Sequence, residues 1–271
     1  MDAFSLKDKV VIVTGGTGVL GNAFINAVVE AGGSVGILGR NADIANERAD
    51  AINKAGGKAL ALVADVMQED QLIECRTKIL DHFGRIDGLV NGAGGNMPGA
   101  VVQPGADLFS LDMEALRQVM ELNMFGTILP TQVFGKSILE TAGTGSIINI
   151  SSVSAHKAIT RVLGYSMAKT AIEAYTKWFA LELAIRYKDA IRMNAIVPGF
   201  FLTEQNRNLL TNPDGSLTDR GNKIQTQTPF SRFGEADELT GALVWLMSDA
   251  SKFVNGTSIV IDGGFLSYSG V

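Results

Sequence analysis

The sequence predicts an α/β protein built on a doubly wound, seven-stranded parallel sheet with helices on both faces. Three observations point there: seven short runs rich in Val, Ile and Leu, longer amphipathic segments between them, and the regular alternation of the two. Near-continuous apolar runs suit parallel strands that helices cover on both sides. Strands are expected at 10–14, 34–38, 58–64, 86–91, 146–151, 191–197 and 257–261. Helical patterns fall at 20–31, 41–55, 69–83, 113–140, 164–186 and 236–248. Two stretches break the alternation. Residues 94–112 hold four glycines and two prolines with no helical period, and 200–234 contain the turn signal Asn212-Pro213-Asp214-Gly215. Both follow strand ends, at the carboxyl edge where open α/β sheets bind ligands. The second is expected to be a substrate loop.

Composition narrows the class. The 271 residues are 46% hydrophobic and 19% charged, enough apolar material for a large core. No repeat or Pro/Ser-rich linker divides them, so residues 1–271 are read as one domain. The 23 Lys+Arg against 28 Asp+Glu leave a net charge of −5, which argues against nucleic acid or an anionic membrane as partner. Cys75 is the only cysteine and the two histidines, His82 and His156, are distant in sequence, so neither a disulfide nor a zinc framework is expected. The charged N-terminus lacks the apolar core of a signal peptide, and the longest apolar stretch, 19–38, is broken by Asn22, Asn26, Glu30 and glycines. A cytoplasmic protein acting on a small molecule, without a metal, is the expectation.

Thr14-Gly15-Gly16-Thr17-Gly18-Val19-Leu20-Gly21 follows the first strand and opens the first helix. Glycines allow a tight turn whose main-chain N–H groups approach a pyrophosphate, and the helix N-terminus favours its charge. A dinucleotide site on a Rossmann-type sheet is therefore predicted, with Gly15, Thr17, Gly18, Val19 and Leu20 against the ligand. No Gly-Lys-Ser/Thr follows, which speaks against a P-loop phosphoryl-transfer enzyme. Further along, Tyr165 and Lys169 lie four apart at the start of a predicted helix and so share a face. An ammonium beside a phenol favours phenolate and lowers its pKa. Thirteen residues before Tyr165, the strand 146–151 runs into Ser151 and Ser152, and Asn123 interrupts an otherwise apolar helix.

In order and spacing these features resemble the short-chain dehydrogenase/reductase family. The octet is similar to its Thr-Gly-x-x-x-Gly-x-Gly turn, with one departure: Gly18 comes a step early and Val19, which cannot take positive φ cheaply, stands at the middle glycine. Asn91-Gly92-Ala93-Gly94, Asp65-Val66, Pro198-Gly199 with Thr203, and Asp262-Gly263-Gly264 resemble further motifs, so the likeness runs from Lys7 to Gly264. It implies a tetrad of Asn123, Ser152, Tyr165 and Lys169. Tyr165 would move the hydroxyl proton, Ser152 position the oxygen, and Lys169 lower the tyrosine pKa while binding the ribose. Asn123 would bend its helix and hold a relay water. The cofactor would also meet Asp65, Val66, Asn91, Ala93, Gly94, Pro198, Gly199 and Thr203. The implied reaction is hydride transfer between a nicotinamide and a carbinol carbon.

The stretches 91–98, 198–207 and 263–271, with the Gly18-Val19-Leu20-Gly21 turn, are similar to the D-mannonate oxidoreductase (fructuronate reductase) branch of that family. A sugar acid needs hydrogen-bonding groups and a cation, for which Asn96, Ser152, His156, Arg161, Gln205, Asn206 and Arg207 are the candidates. A gluconate 5-dehydrogenase or a 3-oxoacyl-carrier-protein reductase would share the catalytic motifs, though the latter would want a basic docking patch. A nucleotide-sensing regulator would usually have lost the Tyr or the Lys. At the end of the second strand, Gly39 stands where an aspartate would hold a ribose 2′-hydroxyl, and Arg40 follows. That pair favours NADP(H), and NAD(H) stays open because arginine also stacks on adenine. The small and apolar residues Ala168, Ala171, Ala174, Phe179 and Ala184 in the helix 164–186, together with the family's habit, predict a homotetramer, with a dimer as second choice.

Overall fold

The computed structural model describes residues 3–203 and 206–270. Its seven strands are β1 (Val10–Thr14), β2 (Ser34–Gly39), β3 (Lys58–Val63), β4 (Gly88–Asn91), β5 (Gly145–Ile150), β6 (Ile191–Pro198) and β7 (Ser258–Ile261). They form one all-parallel sheet in the order β3-β2-β1-β4-β5-β6-β7. Alternation along each strand divides its side chains between two layers. From β1, Val11 and Val13 pack with α1 (Val19–Glu30), α2 (Ala42–Lys54) and α9 (Thr240–Met247). Val10 and Ile12 pack on the other side with α3 (Glu69–Phe83), α5 (Gly126–Ser137) and α6 (Leu163–Tyr187). The sheet is thus covered on both faces, which is why its central strands are apolar throughout. Among the described residues no helix is long and apolar enough to cross a membrane.

β1 and β4 are neighbours although two strands, β2 and β3, separate them in sequence. Successive connections leave in opposite directions there, and a cleft opens at the carboxyl ends. Thr14 at the end of β1 pins the next strand, its hydroxyl accepting from Gly92 N and Ala93 N at 3.1 Å each.

The predicted helix 113–140 is not one helix. It runs as α4 (Met113–Met120), a wide π-type turn over Glu121–Phe125, then α5, and a second wide turn at Ile138–Ala142. Asn123 causes the first break. Its side-chain amide donates to Val119 O at 2.8 Å and to Gly95 O at 2.7 Å, and its Oδ1 accepts from Gly95 N at 3.0 Å. A helix that must pair one side chain with a neighbouring loop widens locally to do so. The expected loop 200–234 contains two short helices, α7 (Arg207–Leu210) and α8 (Asp219–Gln227), the latter capped by the Thr218 hydroxyl. Residue 236 begins a 3₁₀ turn that leads into α9, so the last helix predicted is divided as well.

Candidate active site

Two connected cavities lie at the carboxyl edge. The first, of about 530 Å³, is walled by Gly15, Thr17, Gly18, Val19 and Leu20, by Gly39 and Arg40, by Asp65 and Val66, and by Ala93 and Gly94. Of the turn residues here, only Gly15 takes positive φ, at 68°, and a Cβ there would come within 2.7 Å of Gly92 O. Gly18 is extended and caps α1, while Val19 begins that helix, so the unusual valine needs no left-handed backbone. A side chain on Gly21 would collide with the Gly15 carbonyl, which lets the helix seat directly on the turn. Arg48, from α2, braces the turn from outside by donating to the carbonyls of Gly16 and Gly18. Nothing in its sequence position marked it, because α2 brings it back to the turn from thirty residues away. Gly39 has its own neighbour: a Cβ there would meet Thr17 Oγ1 at 2.6 Å and Cγ2 at 2.7 Å. Arg40 is three-quarters exposed, 3.9 Å from Asp65.

The second cavity, of about 220 Å³, is lined by Ser152, Tyr165 and Lys169, by Pro198, Gly199 and Thr203, and by Asn96. It shares Leu20, Gly92, Gly94, Gly95, Asn96 and Thr203 with the first. Ser152 lies two residues beyond β5 and caps the short turn Val153–Ala155 through a bond from Ser154 N at 3.2 Å. Tyr165 and Lys169 occupy the first two turns of α6, with the ammonium 5.4 Å from the phenol ring centre. Lys169 is 4% exposed and donates to Ile150 O at 2.8 Å. Burial pulls its pKa down to about 8. Burial pushes the Tyr165 phenol up, against a smaller downward pull from a hydrogen bond with Ser152. Asn123 stands behind this wall, and a Cβ on Gly94 would lie 2.6 Å from its Oδ1 and 3.5 Å from Lys169 Nζ.

Four expected ligand residues are placed elsewhere. Asn91 is buried in the core, its amide donating to Thr131 Oγ1 at 2.9 Å and Asn149 Oδ1 at 2.8 Å, and it lines neither cavity. His156 turns away to Glu173, 2.7 Å from Oε1, on a buried carboxylate that also accepts from Ser151 and Ser258. Arg161 faces the preceding loop, donating to Val102 O at 3.0 Å and Gln103 Oε1 at 2.7 Å. Arg207 is exposed at the start of α7. Gln205 lies outside the described residues. Asn206 does line the cavity, but its amide is spent on Thr203 N and Phe201 O, where it shapes the loop. Besides Lys169, the cation that reaches the cavity among the described residues is Arg220, on α8. α8 is polar and aperiodic enough to pass for loop, so no pattern in the sequence singled it out.

A glycine-walled cleft at the switch point of a parallel sheet, opening onto a serine, a tyrosine and a lysine, belongs to an NAD(P)-dependent oxidoreductase acting on CH–OH groups. The chain is a member of the short-chain dehydrogenase/reductase family: a family model described as enoyl-(acyl carrier protein) reductase matches residues 18–266. Among its relatives is the uncharacterised oxidoreductase UxuB of Bacillus subtilis strain 168, 41% identical over 98% of each chain. A candidate D-mannonate oxidoreductase from Haemophilus influenzae, solved with bound NAD, superposes with a TM-score of 0.90 at 41% identity, over 98% of each chain. A gluconate 5-dehydrogenase from Burkholderia cenocepacia J2315, in complex with NADP and tartrate, gives 0.86 at 31% identity, again over 98% of each.

Proposed function

We propose that this protein interconverts a secondary alcohol and a ketone on a sugar acid of the D-mannonate/D-fructuronate type, as one catalytic domain spanning residues 1–271. The observation that carries the reading is that the cavity lined by Ser152, Tyr165 and Lys169 shares Leu20, Gly94 and Thr203 with the glycine-walled cleft. The residues fit a nicotinamide dinucleotide: Gly15 and Gly21, packed on backbone with no room for a Cβ, keep the turn tight against the N-terminus of α1, where main-chain N–H groups favour a pyrophosphate. That group supplies or accepts the hydride when bound. Gly15, Thr17, Gly18, Val19 and Leu20 would hold its pyrophosphate side, and Asp65 and Val66 its adenine side. Ala93, Gly94, Pro198, Gly199 and Thr203 would hold the nicotinamide side.

The chain's own part is proton transfer and positioning. In reduction, the Tyr165 O–H gives its proton to the carbonyl oxygen as the carbon takes hydride, and the phenolate is refilled from solvent. In oxidation the same oxygen takes the proton back. Ser152 donates to the reacting oxygen and aims it at the phenol. A tyrosine whose pKa burial raises stays protonated at neutral pH, which suits it as the acid of the reductive direction. Lys169 places a cation beside the ring and favours the phenolate left behind.

The Haemophilus influenzae relative supports D-mannonate chemistry, and the Burkholderia cenocepacia one keeps a gluconate 5-dehydrogenase as the second reading. Gly39 with the exposed Arg40 supports NADP(H) as the preferred cofactor, with NAD(H) the alternative. A cytoplasmic homotetramer completes the proposal. The test is turnover of D-fructuronate, 5-keto-D-gluconate and a 3-oxoacyl thioester with each reduced cofactor, followed by nicotinamide absorbance. The keto sugar acids should be reduced, and Tyr165→Phe should lower that rate by about 10²–10⁴-fold. Silence on both keto acids, or activity confined to the thioester, would overturn it.

A further inference from the structure

We infer that Arg220 binds a substrate carboxylate and that Ser154 donates to a substrate hydroxyl near the reacting carbon, so that the small cavity selects a hydroxylated carboxylate. This rests on the alcohol–ketone reading above and assigns the groups that would choose its substrate.

The cavity is apolar over most of its wall, with Ile150, Val153, Ile159, Val162, Leu209 and Leu210 contributing. Its polar groups therefore carry the recognition. Lys169 is committed to Ile150 O and to the phenol. Arg220 is the other cation on this wall among the described residues. It bonds Thr160 twice, from Nη1 to Oγ1 and from Nη2 to the carbonyl, at 3.1 Å each. Those contacts use two of five N–H donors and fix the plane of the guanidinium. No carboxylate among the described residues pairs with it. Burial, and to a lesser extent the charge of Arg161, disfavour the lone cation at Arg220. An arriving carboxylate relieves both effects and meets a donor fork of matching geometry.

Two further groups converge independently. Ser154 is 7% exposed, lines the cavity, and its hydroxyl has no partner. The turn that carries it is held by Ser152 Oγ, so both hydroxyls are fixed on one short element. Across the cavity the Asn96 Nδ2 is buried without a partner, its Oδ1 being taken by Met97 N at 3.0 Å. Buried donors normally find acceptors. A ligand with a carboxylate at one end and hydroxyls flanking a reacting carbon supplies all of them.

The test compares wild type, Arg220→Gln, Arg220→Lys and Ser154→Ala on D-mannonate and on its neutral carboxamide, with the oxidised cofactor. Wild type should favour the acid. Arg220→Gln should raise KM for the acid so that kcat/KM falls by about 10²-fold, leave kcat within a few-fold, and leave the amide unaffected. Arg220→Lys should restore part of the loss, and Ser154→Ala should lower kcat/KM for both compounds about tenfold. Calorimetric binding of D-mannonate to each protein with oxidised cofactor gives the same ranking without turnover, and circular dichroism shows that the variants fold. An undiminished preference for the acid in Arg220→Gln would overturn the Arg220 assignment while leaving the alcohol–ketone reading intact. An unchanged Ser154→Ala would remove that residue. Equal use of acid and amide by wild type would overturn the carboxylate. Failure of wild type to bind or turn over either would sink the inference, and the ketone panel above separates this from loss of the oxidoreductase reading.

Discussion

Lys169 carries its charge at a burial where water does little to support it, and this makes the protein's stability depend on pH in a particular direction. Its pKa is about 8 in the folded chain against an ordinary value of 10.5. Below pH 8 both folded and unfolded chains bind the proton, and the folded state bears the full penalty. Between pH 8 and 10.5 the folded chain has released it while the unfolded chain has not, so stability rises with pH across that window. Relative to a Lys169→Met variant, the wild type should therefore gain about 3 kcal/mol over the window. Groups common to both proteins cancel, and the unpartnered Ile150 carbonyl shifts the variant by a constant. Urea unfolding of the pair at several pH values measures it, and a pH-independent difference would show that the lysine is not strained. The cofactor preference also turns on single residues. Wild type should use NADPH at least as efficiently as NADH, and a tenfold preference for NADH would show that Arg40 does not clamp a phosphate. Gly39→Asp alone should weaken both cofactors, because its Cβ runs into Thr17. Thr17→Ala with Gly39→Asp clears that space and should move kcat/KM toward NADH.

Elements differ in how far the sequence reveals them, and the difference follows from where their partners lie. β1 is legible to the residue because both of its faces are apolar and its bounds are marked by the charged Lys9 and the glycine turn. The span 113–140 is misleading because what divides it is the bond from Asn123 to Gly95, a contact that local periodicity cannot show. The same holds for His156 and Arg161, whose directions are set by Glu173 and Val102. Tyr165 and Lys169 share one helix face, which their spacing alone shows, whereas Ser152 stands out only through its spacing in the family resemblance; all three line the same cavity. Along α6, Ala168 turns inward to the core and Phe179 is only partly exposed, so the predicted contact face needs redrawing. The outward stripe is Met167, Ala174, Trp178, Leu181 and Ile185, with Trp178 60% exposed. These residues recur at three-, four- and seven-residue steps and form one apolar ridge, of the kind that closed symmetric assemblies bury. The expected outcome is a tetramer by light scattering at micromolar protein, with Trp178→Glu giving smaller species. A monomeric wild type would overturn it.

Across the whole molecule, the proton-transfer groups and the cavity's arginine come from separate stretches of chain. Tyr165 and Lys169 rest on α6, and Ser152 lies just beyond β5, an inner strand of the sheet. Arg220, Leu209 and Leu210 come from the excursion between β6 and α9. That excursion is closed at its base, where Phe201 bridges to Gly234 and Gly234 N donates to Phe200 O at 2.9 Å. Its entry and exit are thus adjacent in space, and neither lies within a central strand. Such a segment behaves as a cassette: a graft joined at 200 and 234 changes little of the closure entropy and leaves the sheet's hydrogen bonds in place. An exchange of this segment would replace the arginine and the apolar wall it brings, while Ser152, Tyr165 and Lys169 stay on chain that the graft does not touch.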